Sequence, residues 1–199
     1  METDRPVFYY DLGSPYAYLA AERVHGVLPV APIWQPILLG GIWKLTGGGS
    51  WAWSDDRADG MAEVERRAAQ YGLPPIRWPE GWPGDTLTAM RAATFAQQAG
   101  RVVAFSLAAF RQAFAAGRDL SDTDTVLVAA AACELHPRAV LRAIESRSVK
   151  QRLEAATQDA ARRGVRGVPT VAVDDRLFFG DDRIEAAAAA LGDRRTPLP

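Results

Sequence analysis

The order of the predicted elements is what most limits the folds open to this chain. At the first end, Val7–Tyr10 is a short β-favouring run, residues 16–24 predict a helix, and residues 31–37 predict a second strand. Proline at positions 32 and 36 makes that second strand irregular or an edge strand. At the other end, residues 171–173 and 177–179 predict two strands joined by a turn, and a helix follows. Strands at both ends indicate a single sheet built from distant parts of the chain.

Residues 39–163 separate these ends and predict mostly helix. The stretch 39–53 is loop-rich, with two groups of glycines and three tryptophans. The predicted helices beyond it are 61–71, 87–99, 102–115, 123–134, Pro137–Glu145 and 149–163. This pattern predicts a split α/β fold: a discontinuous domain over residues 1–38 and 164–199, and a helical insertion domain over residues 39–163.

Composition and charge exclude several classes of function. The net charge is −1, so nothing electrostatic favours nucleic acid or an anionic membrane as a partner. No apolar run is long enough to span a membrane, and the N-terminus lacks the basic and apolar parts of a secretory signal. Cys133 is the only cysteine, which rules out an internal disulfide, and no residue spacing suggests a metal site. We therefore expect a cytoplasmic protein without a metal.

Ser14 is the first candidate functional residue, because it lies between the end of a strand and the start of a helix. Ser14 suits the N-cap position and Pro15 the first helical position. The first N–H groups of a helix lack intrahelical partners and the helix dipole is positive there, so a bound thiolate would be stabilised. Considered alone, Ser14 is better explained as a structural cap. A serine nucleophile is disfavoured, since neither histidine lies in a motif that would make it the base.

Two further candidates lie near the C-terminus. The Val168–Pro169 bond is either an ordinary trans bond at a strand start or a cis bond that leaves the Val168 backbone free to pair with a peptide. The acidic pair Asp181 and Asp182, followed by Arg183, either complements a helix dipole or holds a charged end of a ligand.

Three sequence elements together resemble the 2-hydroxychromene-2-carboxylate isomerases, relatives of the kappa-class glutathione transferases within the wider DsbA-like group. They are Phe8-Tyr9-Tyr10-Asp11-Leu12-Gly13-Ser14-Pro15-Tyr16-Ala17-Tyr18-Leu19-Ala20, Pro36-Ile37-Leu38-Leu39-Gly40-Gly41, and Gly164-Val165-Arg166-Gly167-Val168-Pro169-Thr170 with Phe178-Phe179-Gly180-Asp181-Asp182-Arg183 after it. The run Thr86-Leu87-Thr88-Ala89-Met90-Arg91-Ala92 is similar to the helical-domain signature of that family. The resemblance covers nearly the whole chain.

The resemblance implies a thioredoxin-like fold with an inserted all-helical domain, a homodimer, and bound glutathione. It implies that Ser14 stabilises the glutathione thiolate, that Val168, before a cis Pro169, pairs with the tripeptide, and that Asp181, Asp182 and Arg183 serve its γ-glutamyl end. In the isomerase reaction the thiolate adds to a conjugated substrate, the ring opens, a bond rotates, and glutathione leaves. Lys44 is a further cofactor-binding candidate. We assign a pocket for a small aromatic substrate to Tyr16, Trp43, Trp51, Trp53 and Asp85, although core or interface packing explains the tryptophans equally well.

This chain departs from the family pattern at two positions. Gly48 and Asp85 stand where asparagines are expected, so a polar contact is lost and a carboxylate is introduced near an anionic ligand. Another low-molecular-weight thiol therefore remains an alternative to glutathione.

Three functions follow as hypotheses: a glutathione-dependent isomerase, a glutathione transferase of kappa type, and a thiol- or peptide-binding module without redox activity. Disulfide exchange requires cysteine sulfur, and Ser14 and Ala17 stand at the two positions of a Cys-x-x-Cys motif. A thiol–disulfide oxidoreductase of the usual kind is therefore strongly disfavoured.

Overall fold

The strands from the two ends of the chain form one mixed sheet. This is seen in a computed structural model that describes residues 5–193. The strands are β1 Val7–Tyr10, β2 Ile33–Pro36, β3 Thr170–Val173 and β4 Arg176–Phe179. Their order in the sheet is β2-β1-β3-β4, with β1 parallel to β2 and antiparallel to β3, and β3 antiparallel to β4. The predicted strands are confirmed, and β2 lies at an edge of the sheet, as its prolines indicated.

Helices fill the rest of the chain. Between β1 and β2 lies α1 Pro15–Val27, the crossover that a parallel pair of strands requires. The helices that follow are α2 Leu39–Thr46, α3 Arg57–Gln70, α4 Leu87–Gln98, α5 Val102–Phe110, α6 Thr123–Ala131, α7 Pro137–Glu145, α8 Arg147–Arg162 and, after β4, α9 Ile184–Asp193. The α/β fold class with inserted helices is confirmed. The predicted domain boundaries at 38/39 and 163/164 stay a prediction.

The expectation of a loop-rich stretch over residues 39–53 is wrong for its first half, which is helix α2. The two glycines at its start suggested a loop, but Gly41 lets α2 pack closely against α8. A Cβ at Gly41 would lie only 2.9 Å from Thr157 Cγ2. Two groups from outside α2 also hydrogen-bond its first turn, because Asp11 accepts from the Leu39 N–H at 2.8 Å and Thr157 from the Leu38 N–H at 3.0 Å. Tertiary packing thus makes helix where local composition favours loop.

Smaller differences concern the ends of helices. The helix predicted over 102–115 is α5 followed by a π-helical turn, Arg111–Ala115. The one predicted over 123–134 ends at Ala131, and Glu134 adopts a left-handed conformation with φ of 62°. The final helix is preceded by a 3-10 turn, Asp181–Arg183.

An aromatic core joins the sheet to the helices. Phe8, Tyr10 and Trp34 contact one another on one face of the sheet, and Tyr10 also contacts Phe110 of α5. The Tyr10 hydroxyl lies 2.5 Å from Ser106 Oγ in this fully buried contact. The inserted helices therefore pack directly on the sheet. None of the described helices is both long and apolar enough to cross a bilayer.

Candidate functional site

A cavity of about 520 Å³ opens where β1 ends and α1 begins, within the size range of small-molecule sites. Its wall is formed by the turn after β1, α2, the loop after α2, the segment before α4 and the loop before β3. Six of the predicted site residues line it: Ser14, Tyr16, Trp43, Trp51, Trp53 and Val168. Residues far apart in the sequence are thus brought to one place.

Ser14 is held in the cavity wall by a tight turn. Its N–H donates to the Asp11 carbonyl at 3.1 Å, and its Oγ accepts from the Ala17 N–H at 3.2 Å, so it is the N-cap of α1 as predicted. Pro15 has no N–H to offer. Within residues 5–193, the Ser14 hydroxyl proton and the Tyr16 N–H both lack an acceptor. The positive end of α1 therefore has two donors available for an anion at the cavity.

Val168 also lines the cavity, in the loop that leads into β3. Neither its N–H nor its carbonyl has a partner in the described part of the chain. The Val168–Pro169 peptide bond is cis, and so is the Trp82–Pro83 bond. Pro169 itself does not line the cavity, and its carbonyl accepts from the Gly180 N–H at 2.9 Å. The unpaired backbone of Val168 can pair with an extended peptide ligand.

Asp11 is a wall residue that the sequence reasoning missed. Its Oδ1 accepts from the Gly13 N–H at 2.9 Å and from the Thr86 hydroxyl at 3.1 Å, while Oδ2 accepts from the Leu39 N–H. Burial raises the pKa of Asp11, and the hydrogen bonds from Gly13 and Leu39 oppose that rise without cancelling it. This one carboxyl group joins the Ser14 turn to the starts of α2 and α4.

Tryptophans form the other side of the cavity. The Trp51 ring contacts Tyr16, with centroids 6.1 Å apart, and Trp82, with centroids 5.4 Å apart. Trp82, which the sequence reasoning also missed, donates its indole N–H to the Gly13 carbonyl at 3.2 Å. Trp53 lines the cavity yet is 75% exposed. The cavity is therefore apolar and partly open on this side.

Glycines make room for three of the rings around the cavity. A Cβ at Gly60 would lie 2.2 Å from Trp51 Cε3, one at Gly48 would lie 2.8 Å from Trp43 Cδ1, and one at Gly167 would lie 2.6 Å from Phe179 Cε2. Real Cβ atoms do not approach so closely. Each ring therefore rests directly on the backbone, and the departure at Gly48 has a steric reason in this chain.

The acidic group at the start of α9 lies outside the cavity. Asp181 is buried, and its carboxylate accepts from Arg67 Nη1 of α3 at 2.7 Å and from the hydroxyl of Tyr71, directly after α3, at 2.9 Å. Burial raises the pKa of Asp181, and Tyr71 and Arg67 partly offset that rise. Asp182 and Arg183 are exposed. The structure thus uses Asp181 to join α3 to α9.

Two other predicted residues also lie outside the cavity wall. Lys44 is exposed on α2, and Asp85 is exposed and accepts from the Leu87 N–H at 2.8 Å at the start of α4. Cys133 is buried against its own helix, with Sγ donating to the carbonyls of Ala129 and Ala130. Across residues 5–193, no group of three or more histidine, cysteine, aspartate or glutamate side chains is arranged to hold a metal ion.

Comparison with known proteins places these features in context. The profile of the DSBA-like thioredoxin domain matches residues 7–192. The chain is 28% identical to the 2-hydroxychromene-2-carboxylate isomerase of Sphingobium xenophagum over 94% of its own length and 97% of that protein.

Solved structures show the same fold. A 2-hydroxychromene-2-carboxylate isomerase superposes with a TM-score of 0.82 at 22% identity, covering 95% of each chain. A "probable DsbA oxidoreductase" of Streptomyces coelicolor superposes with a TM-score of 0.76 at 23% identity, covering 98% of this chain and 92% of that one.

Proposed function

The chain belongs to the family of DSBA-like thioredoxin domains, and we propose that within it this protein is a thiol-dependent isomerase resembling 2-hydroxychromene-2-carboxylate isomerase. The relation to the Sphingobium isomerase over nearly the whole of both chains supports an isomerase-like enzyme. The finer proposal is that the protein works with bound glutathione or a similar small thiol. The polar groups on the cavity wall support it.

The observation that carries the proposal is the pair of free donors at the start of α1. The Ser14 hydroxyl proton and the Tyr16 N–H have no acceptor among the described residues, and both belong to residues that line the cavity. A hydrogen bond to a charged group contributes roughly 1.5–3 kcal/mol, and the helix dipole adds about 0.3–1 kcal/mol. These donors favour a thiolate over a thiol, so the chain's own groups lower the pKa of a bound thiol.

The remaining polar surface of the cavity fits a peptide-like thiol. The unpaired N–H and carbonyl of Val168 offer one donor and one acceptor to an extended backbone, the arrangement by which a peptide adds to a strand edge. Asp181 is committed to Arg67 and Tyr71, so in this proposal it supports the site from behind instead of contacting the ligand.

The aromatic side of the cavity fits a conjugated substrate. Trp43, Trp51 and Trp53 supply apolar surface to the cavity wall, and planar rings stack on such surfaces. When bound, the thiol supplies a reversible nucleophile for the conjugated system. The protein's residues then have three tasks: Ser14 and the Tyr16 N–H hold the sulfur as an anion, Val168 orients the peptide, and the indole rings exclude water and align the substrate.

The test is thiol-dependent turnover of the substrate of the relative. First, purified protein is titrated with glutathione, and the absorbance of the thiolate is followed across pH. Second, the rate of isomerisation of 2-hydroxychromene-2-carboxylate is measured with and without glutathione. We expect the pKa of the bound thiol to fall below that of the free thiol and isomerisation to require catalytic amounts of thiol. Accumulation of a thiol conjugate would instead make the protein a transferase. Equal rates with and without any thiol would overturn the proposal.

A further inference from the structure

The cavity has one cationic side chain on its wall, and no acid in the described chain neutralises it. Arg166 lies in the loop between α8 and β3, next to Gly167 and Val168, and is exposed. Its one polar contact within residues 5–193 is a long hydrogen bond of 3.5 Å from Nη1 to the Thr46 carbonyl at the end of α2. A guanidinium group has five N–H donors, so most of those of Arg166 remain available.

Other arginines of this molecule are engaged much more fully. Arg67 is paired with Glu63 and Asp181, each at 2.7 Å, and Arg111 makes two hydrogen bonds to Glu22 at 2.7 and 2.8 Å. Arg163, three residues before Arg166, donates to the Tyr9 hydroxyl and to the Asp174 carbonyl. Arg166 differs from them because it lines the cavity and makes only one long hydrogen bond.

The wall carries one cation and one acid, and they differ in the hydrogen bonding that they still offer to a ligand. Asp11 is the only acidic residue on the wall, and both of its oxygens already accept hydrogen bonds from Gly13, Leu39 and Thr86. The positive end of α1 adds a second site of positive potential at Ser14. A ligand that fills this cavity gains most if it carries an anionic group in addition to its sulfur.

We propose that Arg166 binds a carboxylate of the ligand at the rim of the cavity, between the end of α2 and the backbone of Val168. The fork of a guanidinium matches a carboxylate with two parallel hydrogen bonds, which distinguishes Arg166 from a lysine at the same position. This inference rests on the proposed function, because the carboxylate belongs either to the peptide thiol or to the conjugated substrate. The chemistry is the same in both cases, and experiment separates the two sources.

The experiment compares Arg166→Gln and Arg166→Lys with wild type and with Arg147→Gln. Arg147 is exposed at the start of α8 and outside the cavity wall, so its replacement removes the same charge without touching the site. For each protein we measure the Kd of glutathione and of glutathione with both carboxylates esterified. We also measure kcat/KM for a conjugated substrate with a free carboxylate and for its methyl ester.

The expected result is a selective loss in Arg166→Gln of about 10-fold or more, the range set by a charge-assisted hydrogen bond. A loss in glutathione Kd that disappears with the esterified thiol assigns the carboxylate to the thiol. A loss in kcat/KM that disappears with the substrate ester assigns it to the substrate. Arg166→Lys recovers only part of the affinity, and Arg147→Gln matches wild type. Equal effects on acids and esters, or no effect in Arg166→Gln, would overturn the role of Arg166.

A separate experiment distinguishes an error in the role of Arg166 from an error in the proposed function. Naphthoate and its methyl ester are titrated without thiol, and binding is followed by quenching of tryptophan fluorescence. One outcome is that no thiol binds, that naphthoate binds more tightly than its ester, and that only Arg166→Gln loses this difference. The Arg166 site is then supported, and the thiol-dependent function is wrong. If wild type binds glutathione and its ester equally well, and naphthoate and its ester equally well, the Arg166 site is wrong.

Discussion

The two sides of the cavity are built by different means. The polar side, Asp11, Ser14 and Val168, is buried, and hydrogen bonds of fixed direction hold Asp11 and Ser14 in place. On the aromatic side, Trp43 and Trp51 pack on glycines, and Trp53 is largely exposed. Hydrogen bonds weaken steeply when their angles change, whereas packed rings adjust to what they contact. The comparison suggests that chemistry is set on the polar side and selectivity on the aromatic side.

The largest effect should come from the centre of the polar side. In Asp11→Ala, the Gly13 N–H, the Leu39 N–H and the Thr86 hydroxyl all lose their acceptor. A buried polar group left unpaired costs roughly 1–3 kcal/mol, and these three groups are partly buried, so we expect the free energy of unfolding to fall by about 3 kcal/mol in total. Chemical denaturation measures this change.

Asp55→Ala is the matched control, because Asp55 is exposed in the turn before α3. Its replacement should change the free energy of unfolding by less than about 0.5 kcal/mol. Equal losses in the two variants would show that Asp11 does not hold the polar side together.

The second prediction concerns chemistry on the same side. Ser14→Ala removes the free hydroxyl donor and the N-cap acceptor for the Ala17 N–H, while the Tyr16 N–H and the helix dipole remain. The pKa of a bound thiol should therefore rise by about 1–2, equivalent to a lost hydrogen bond of roughly 1.5–3 kcal/mol. Thiol affinity measured where the thiol is protonated should change much less. Thiolate absorbance of the bound thiol reports the pKa directly. An unchanged pKa in Ser14→Ala would remove Ser14 from the mechanism.

The sequence predicted those parts of the fold and of the cavity that local chemistry decides. The four strands follow from short β-favouring runs next to turns, and the Ser14 cap follows from Ser-Pro before a helix. Helix α2 could not be predicted in this way, because it depends on Gly41 packing against Thr157 and on the Asp11 carboxylate 28 residues before it.

The difference between local and long-range contacts also explains which cavity residues the sequence predicted. Asp11 and Arg166 matter because of what other segments bring near them: Thr86 lies 75 residues from Asp11, and Thr46 lies 120 residues from Arg166. Asp181 is a case in which the sequence predicted a site residue that the structure uses elsewhere, because an acid at a helix start can bind a ligand or form a structural ion pair. In this structure it pairs with Arg67, 114 residues away. Local sequence contains no sign of such pairings.

The third prediction tests the glycine contacts of the aromatic side. In Gly60→Ala, the new Cβ would lie 2.2 Å from the Trp51 ring, which must move away from α3. Overpacking costs about 1–3 kcal/mol and the gain in helix propensity returns up to about 1 kcal/mol, so we expect a net destabilisation of about 1 kcal/mol. Tryptophan fluorescence should report the displaced ring.

Gly26→Ala is the control for helix propensity alone. Gly26 lies in α1, and a Cβ there would meet no atom within 4 Å. This variant should be more stable than wild type by roughly 0.5–1 kcal/mol. If Gly60→Ala is stabilised to the same extent, the Trp51 ring is free to move and the aromatic side is looser than its packing suggests.

The smallest effect should be the most selective one. Trp53 is 75% exposed, so Trp53→Ala removes little packing and should change the free energy of unfolding by less than about 0.5 kcal/mol. Its ring nevertheless lines the cavity, and an aromatic contact contributes about 0.5–1.5 kcal/mol, or roughly 2- to 10-fold in kcat/KM. We therefore expect a reduced preference for aromatic over aliphatic conjugated substrates and an unchanged thiol affinity.

The control for Trp53→Ala is Leu45→Ala, which removes an exposed apolar side chain of α2 that does not line the cavity. It should leave both substrate preference and thiol affinity at wild-type values. Trp51→Ala extends the series, because Trp51 also contacts Tyr16 and Trp82, and it should lower stability as well as change preference. The decisive comparison is between the two measured quantities. If thiol affinity collapses in Trp53→Ala while the relative preference among substrates stays fixed, the ring belongs to the thiol site, and the two sides of the cavity do not divide chemistry from selectivity.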